Sequence, residues 1–422
     1  RYDQVAQRGY LRYDFDPQVR ELLYARSQTF LAARWLRRIE ATLSVQRSDE
    51  GRLRQRRGDS LQVRERDTVR TAGLAVEARS EPFPWWRATS GAELYRDRVK
   101  SSAAVDDLET RASRSGRGLY PDGATATSLA AFTLHSFEAG RTSLTLGGRY
   151  NSFAIDAVDP LVGTIDVRPR ALVGSAAALV RLSPRHRLVA SVNTGFRAPN
   201  VSDVGSLGPF DFGVEVPSPD LRPENSLTME LGHKARMGAA AGGVVVFLTR
   251  LTDLIDRVES TFRGSPTLDG ERVFRKRNVG EARLRGVEAE AELALPVRSL
   301  LAAGVAYTHG QNLDANEPMR RIPPLHGRLS LRFGASPGAS AEAEWLWAGA
   351  QRRLAGGDRA DHRIAPGGTP GWSVFNIRAA RGIGPLRIAA GVENLFDEAY
   401  RTHGSGVDGL GRAAWAMLEA RF

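Results

Sequence analysis

TSLTLGGRYNSF, residues 142–153, decides the fold. Successive side chains of an extended strand point to opposite faces, so Leu144, Leu146, Gly148 and Tyr150 share one face while Thr145, Gly147, Arg149 and Asn151 share the other. The first face suits lipid and the second suits water. The same split recurs in HRLVASVNTGF (186–196), where Leu188, Ala190 and Val192 alternate with Val189, Ser191 and Asn193, and again in GRLSLRF (327–333) and LRIAAGVEN (386–394). Strands of soluble sandwiches also alternate, but they are about half as long and turn their apolar side inward against a second sheet.

Connections separate the two architectures. Short turns fall near Ser183–His186, Pro296–Ser299, Ala335–Gly338 and Gly382–Gly384, and long polar stretches near Arg197–Ser226, Thr308–Pro323, Gln351–Gly371 and Asp397–Gly411. Outer-membrane barrels alternate in this way, with tight periplasmic turns and long outer loops. Read back from the C-terminus, the pattern predicts an all-β, transmembrane, antiparallel up-and-down β-barrel with about seventeen strands. The first is expected near Gln18–Gln28, after a polar stretch Arg1–Pro17, and the last near Arg412–Phe422, both running inward. Complete single-chain bacterial barrels have an even strand number and both termini inside. Residues 1–422 are therefore expected to be the C-terminal part of a barrel, and no signal peptide is expected within them.

Composition narrows the classes further. No run of about 18 apolar residues exists, which excludes a helical span; the mean hydropathy of −0.31 suits a soluble protein and equally strands with only alternate residues in lipid, and does not separate the two. Cysteine is absent, so thiolate metal sites, disulfides and cysteine nucleophiles are excluded. The net charge of +11 raises nucleic acid as a partner. Against it, Lys100, Lys234 and Lys276 are the only lysines, and the arginines are scattered among acids. The densest run, Arg52–Arg70, contains Asp59, Glu65 and Asp67 and reads as a solvated hairpin tip, with lipid A phosphate binding as its second reading.

Local motifs then fall into order. GFRAPN (195–200) is followed one loop later by SPDLRPEN (218–225), and downstream come NVGEARLRGVEAE (278–290), RRIPPLHGRL (320–329), GGTPGWSVFNIR (367–378) and ENLFDEAYRTHGSG (393–406), with YPDGAT (120–125) upstream. In this order, over nearly the whole chain, they resemble the C-terminal barrel of TonB-dependent outer-membrane receptors. The resemblance implies a family barrel of about twenty-two strands around an N-terminal plug. This chain would supply the last seventeen or so and no plug. It implies import of a scarce ligand, siderophore iron first, with cobalamin or haem as alternatives. It also implies outer-membrane lipid and lipopolysaccharide as surroundings, the TonB complex as a partner through the plug, and the barrel assembly machinery as another. The ligand would be a small molecule or metal chelate; nucleic acid is not an expected partner, and no cofactor is expected.

The motif residues read as architecture. Pro199 removes an N–H and drives Ala198 to extended geometry, ending the strand that carries Phe196, while Arg197 starts the loop. Pro219 and Pro223, around Leu221, stiffen the descent into the next strand, and Glu224 is expected to pair with a lumenal arginine. Phe422 ends a strand whose alternate positions are Ala414, Ala416, Leu418 and Ala420, similar to the terminal aromatic signal read by the assembly machinery.

Signals for chemistry are weak. No His pairs with another His or a carboxylate at metal-site spacing, and no GxSxG or Walker-type loop occurs, so no catalytic or metal residues are assigned and no enzyme is expected. His309, His362 and His403 fall in expected outer loops and are the candidate ligand contacts; the stretch Pro199–Pro219, where haem importers commonly carry an axial histidine, has none. Asp211, Glu215 and Asp220, or Asp314 and Glu317, offer oxygen ligands for surface calcium, with solvated loop acids as the simpler reading. Trp85, Trp86, Trp345, Trp347, Trp372, Trp415, Tyr150 and Tyr307 are expected in interfacial girdles. Arg149, Arg328, Arg332 and Arg387 are expected to face the lumen and to favour an anionic ligand. A passive porin is the alternative function.

Overall fold

Each period-two run becomes a long strand. The computed structural model describes residues 9–161, 163–210, 213–336 and 338–421. Among these described residues seventeen strands build the wall. The first nine are β1 (Tyr10–Phe30), β2 (Arg38–Arg56), β3 (Leu61–Phe83), β4 (Trp86–Asp107), β5 (Thr125–Ala139), β6 (Thr142–Asp159), β7 (Arg170–Arg181), β8 (His186–Arg197) and β9 (Glu224–Met237). Then come β10 (Ala240–Thr252), β11 (Glu281–Leu295), β12 (Ser299–Asn312), β13 (His326–Ser336), β14 (Ala339–Ala348), β15 (Trp372–Ile383), β16 (Leu386–Glu393) and β17 (Ala413–Ala420). Each pairs antiparallel with its neighbours in sequence. Three short pieces, Ser113–Arg117, Gly163–Val167 and Glu317–Pro318, lengthen the same sheet. Strand number and order match the expectation.

The two faces differ as the alternation requires. Leu144, Leu146 and Tyr150 on β6, Leu74 and Val76 on β3, Leu94 on β4, and Val244, Val246 and Leu248 on β10 are all exposed on one side of the wall. An apolar belt of this extent is a liability in water and a requirement in lipid. On the other side Arg149 meets Glu93 at 2.6 Å and Asn151 is buried. At one end the chain turns tightly, as at 84–85, 140–141, 238–239 and 296–298. The opposite end carries the long connections, among them 198–223, 253–280 and 349–371. Arg52–Arg70 lies on the β2–β3 hairpin, whose tip at 57–60 is also at the long-loop end. Phe83, Trp85, Trp86 and Phe137 form a stacked aromatic group at the tight-turn end, with Trp35 edge-on to Phe83 and Trp86. Trp345 lies between Trp347 and Phe375 on the outer face.

Two expectations change. β1 begins at Tyr10 rather than near Gln18, because the tall β2–β3 hairpin offers a ladder edge against which Tyr10–Phe15 pairs with Arg52–Arg56, across a register shift between Phe15 and Gln18. The long connections are also not irregular. Gly208–Phe210 and Gly213–Val216 from one loop join Ile255–Glu259, Thr267–Leu268 and Glu271–Asn278 from another in a separate small sheet, with Gly213–Val216 running parallel to Glu271–Asn278. This buries Val214, Val216 and Val273. Beside it a second apolar core, with Val99, Ile155, Ile165, Val204 and Leu221, binds the loops to the inner face of β4 and β6. Among the described residues β1 has only β2 as a ladder partner, and β17 only β16.

Candidate functional site beneath the long loops

The FRAPN and PDLRPE motifs meet. β8 ends on Arg197 and β9 begins on Glu224, and the two are register partners. Phe196 lies beside Phe153, the rings tilted and their centroids 5.9 Å apart. Beyond Ala198 and the buried Pro199, Asn200 caps one helical turn, α1 (Val201–Gly205). Its side chain accepts the Asp203 N–H at 2.8 Å, and the Asp203 carboxylate accepts the Asn200 N–H at 3.1 Å. The Arg197 guanidinium donates to Glu224 on one side and to Asp203, at 2.8 Å, on the other. The second Asp203 oxygen meets Lys276 Nζ at 3.0 Å; that ammonium also meets Glu215 at 3.0 Å, and Arg257 closes the chain onto Glu215. Burial pushes the Asp203 carboxyl upward, but Lys276, then the Asn200 N–H and then Arg197 outweigh it and hold it below its ordinary value. Leu221 enters the loop core next to Val204, between Pro219 and Pro223. The arginine that Glu224 finds is therefore Arg197 of the preceding motif, which ends a strand rather than starting a free loop.

A cavity of about 700 Å³ lies in the lumen below three other loops. Lys234, Glu288, Glu290 and Arg328 form its wall, and Arg321, Pro323, Thr369, Trp372, Thr402 and His403 converge over it. The loop 349–371 is closed by the antiparallel bridge Gln351–Thr369. Thr369 Oγ1 holds His403 Nδ1 at 2.8 Å, and His403 Nε2 is shielded from solvent with no hydrogen-bond partner among the described residues. Burial lowers the His403 value; the Asp358 carboxylate opposes this and the Arg321 guanidinium adds to it, so the neutral ring is favoured. Behind it Asp358 accepts the N–H groups of Arg321 and Ala355, and Asp361 binds Arg363 at 2.6 Å and Arg321 at 3.2 Å. Burial raises Asp361, but the Arg363 and Arg321 guanidinium groups pull it down to about 2.

Of the candidate histidines only His403 reaches the cavity. His362 lies beside Arg363 in the same loop as Asp361, and burial, then Arg363, lowers its value. His309 is not in a loop: β12 continues to Asn312, and His309 is the register partner of Arg285. One pairing was hidden by 47 residues of sequence separation: His186 Nδ1 and His233 Nε2 come within 3.2 Å across β8 and β9, rings stacked. Only the strand register reveals it. Among the described residues no group of three or more His, Asp or Glu side chains is placed to hold a metal ion. Glu215 is occupied by Lys276 and Arg257, Asp314 accepts the Glu281 N–H and Glu317 the Gly356 N–H. Asp211 and Phe422 lie outside the described residues. The lumenal arginines are mostly neutralised: Arg149 by Glu93, Arg332 by Glu342 at 3.4 Å and Arg387 by Glu419 at 3.7 Å, with Arg328 left on the cavity wall. The lumen is mixed in charge, not uniformly positive.

The family model described as TonB dependent receptor-like, beta-barrel matches residues 1–395. The chain belongs to that family. Solved structures agree on the fold of this TonB-dependent receptor barrel. The copper transporter OprC superimposes with a TM-score of 0.81 at 19% identity, covering 97% of this chain and 66% of OprC. The siderophore receptor PirA from Acinetobacter baumannii gives 0.73 at 16% identity, covering 96% and 62%. The Serratia marcescens hemophore receptor HasR, solved with HasA and heme, gives 0.72 at 18% identity, covering 96% and 66%. The chain thus spans slightly less than two thirds of the length of these structures. No curated protein matches it. The family is one of outer-membrane receptors and transporters rather than enzymes.

Proposed function

We propose that this chain is the barrel wall of an outer-membrane TonB-dependent importer, with its long loops at the cell surface and its tight turns in the periplasm. The ligand is a scarce metal chelate of the siderophore-iron class. The observation that carries the reading is the convergence of three long loops on one lumenal cavity, with Arg321, Arg328, Lys234, Trp372 and His403 lining the same space. Cations beside an aromatic face suit an anionic, aromatic chelate. The plug and the TonB contact belong to the parent protein, and barrel assembly machinery and lipopolysaccharide to its surroundings. A passive porin needs an open mouth, whereas here the loop core around Val204 and Leu221 is bound to the inner face.

Uptake of radiolabelled iron as catecholate, hydroxamate and citrate chelates tests the reading. The full-length protein is expressed in cells lacking their own receptors, with and without TonB. TonB-dependent uptake of one chelate, reduced about tenfold in H403A, is expected. Equal, TonB-independent passage of all three would point to a porin and contradict it.

A further inference from the structure

We infer that the outer face of β3 and β4, just beyond the apolar belt, is a binding site for the phosphates of an outer-leaflet glycolipid headgroup. The inference rests on the membrane placement proposed above. On β4, Val99 packs into the loop core on the inner face, so Arg98 and Lys100 point outward, on the same side as the exposed Leu94. On β3, Val69 packs against that core, and Arg70 points outward in line with Leu74. Arg70 lies directly opposite Arg98 in the ladder, Lys100 opposite Thr68, and Arg96 opposite Ala72, one pleat above the row that pairs Leu74 with Leu94. Four exposed cations therefore share one patch at the edge of the apolar surface. Among the described residues none of the four has an acidic partner. Arg250, on the outward-facing parity of Leu248 on β10, is by contrast matched bidentately by Glu281.

Like charges directly opposite in a ladder destabilise it, and side chains of this length in lipid would need a counter-charge. A phosphate supplies one: arginine presents a planar fork that fits two phosphate oxygens, and lysine adds a point charge. Thr125 and Thr127 of β5, register partners of Arg98 and Arg96, add hydroxyl donors on the same side. The patch lies where headgroups begin, so the anion is held on a lipid anchored beside the barrel rather than free in solution.

The test measures binding of diphosphoryl lipid A, and of its dephosphorylated form, to the full-length protein in phosphatidylcholine nanodiscs. The intact protein should prefer the diphosphoryl lipid by at least about tenfold, and removing each cation should weaken binding about fivefold, equivalent to about 1 kcal/mol. A triple variant R70Q/R98Q/K100Q should lose about a hundredfold, while R70K/R98K stays within a few-fold of the parent. Equal binding of the two lipids by the intact protein, or a triple variant within about twofold, overturns the inference. So does displacement of the lipid by millimolar inorganic phosphate. Failure of the protein to insert into the discs at all would overturn the membrane placement as well; insertion without phosphate preference overturns the patch alone.

Discussion

At the scale of residues, the two motifs hold because charges are matched pairwise inside the loop layer. Lys276, nearly buried, stands between Asp203 and Glu215, both buried. Lys276→Met would leave two carboxylates facing each other without their shared cation, at a cost of about 3 kcal/mol. Protease nicking within 198–223 should accelerate while the barrel itself stays folded; an unchanged digestion pattern would mean that the network does not hold this loop. Asp361 predicts a pH effect of definite sign. Its folded value of about 2 lies below that of a free carboxylate, so it stabilises the loop above about pH 4, and the contribution fades as pH falls toward 2. In D361N the acid side of the loop's stability profile, read by hydrogen exchange, should flatten. His403 acts higher on the scale: its value is lowered, so its neutral, buried form supports the loop contact above about pH 6.5 and is lost on acidification below that. H403Q should abolish this second step. Apart from the Asp361–Arg363 contact, two residues apart within one loop, these partnerships were not legible in the sequence beyond the expectation that Glu224 finds an arginine, because they join residues tens of positions apart.

Among the elements, strands were the legible part and loops were not. Period-two alternation is dictated locally, by lipid on one side of each strand and water on the other, so 142–153 and 386–394 can be read without knowing their neighbours. The parallel pairing of Gly213–Val216 with Glu271–Asn278 joins two separate loops and leaves no local trace. Nor does the stacked pair His186 and His233, which depends on the β8–β9 register. In the loop 349–371 Gly368 has φ +110°, and a Cβ there would fall 2.0 Å from the Gln351 carbonyl oxygen. Gly368→Ala should break the Gln351–Thr369 bridge and release Thr369 from His403. Protease sensitivity of the loop should rise and chelate uptake fall, while the heat-modifiable folded band persists. A variant with parental uptake would show that the bridge does not shape the cavity.

For the whole molecule, an apolar belt, alternating tight and long connections and family membership agree on a membrane barrel, yet β1 and β17 each have one ladder partner among the described residues. Unpaired backbone edges in lipid cost several kcal/mol per group, so residues 1–422 alone are proposed not to insert as a stable monomeric barrel. A heat-modifiable monomer from this segment alone would refute that. The orientation is open to a cleaner test, because the chain has no cysteine of its own. Single cysteines at Gly58, on the β2–β3 tip, and at Gly238, in a tight turn, give two reporters at opposite ends of the wall. In intact cells expressing the full-length protein, a membrane-impermeant maleimide should label G58C at once and G238C only after the outer membrane is permeabilised. Labelling of G238C but not G58C in intact cells, or equal labelling of both, would contradict a barrel that spans the outer membrane with its long loops at the cell surface.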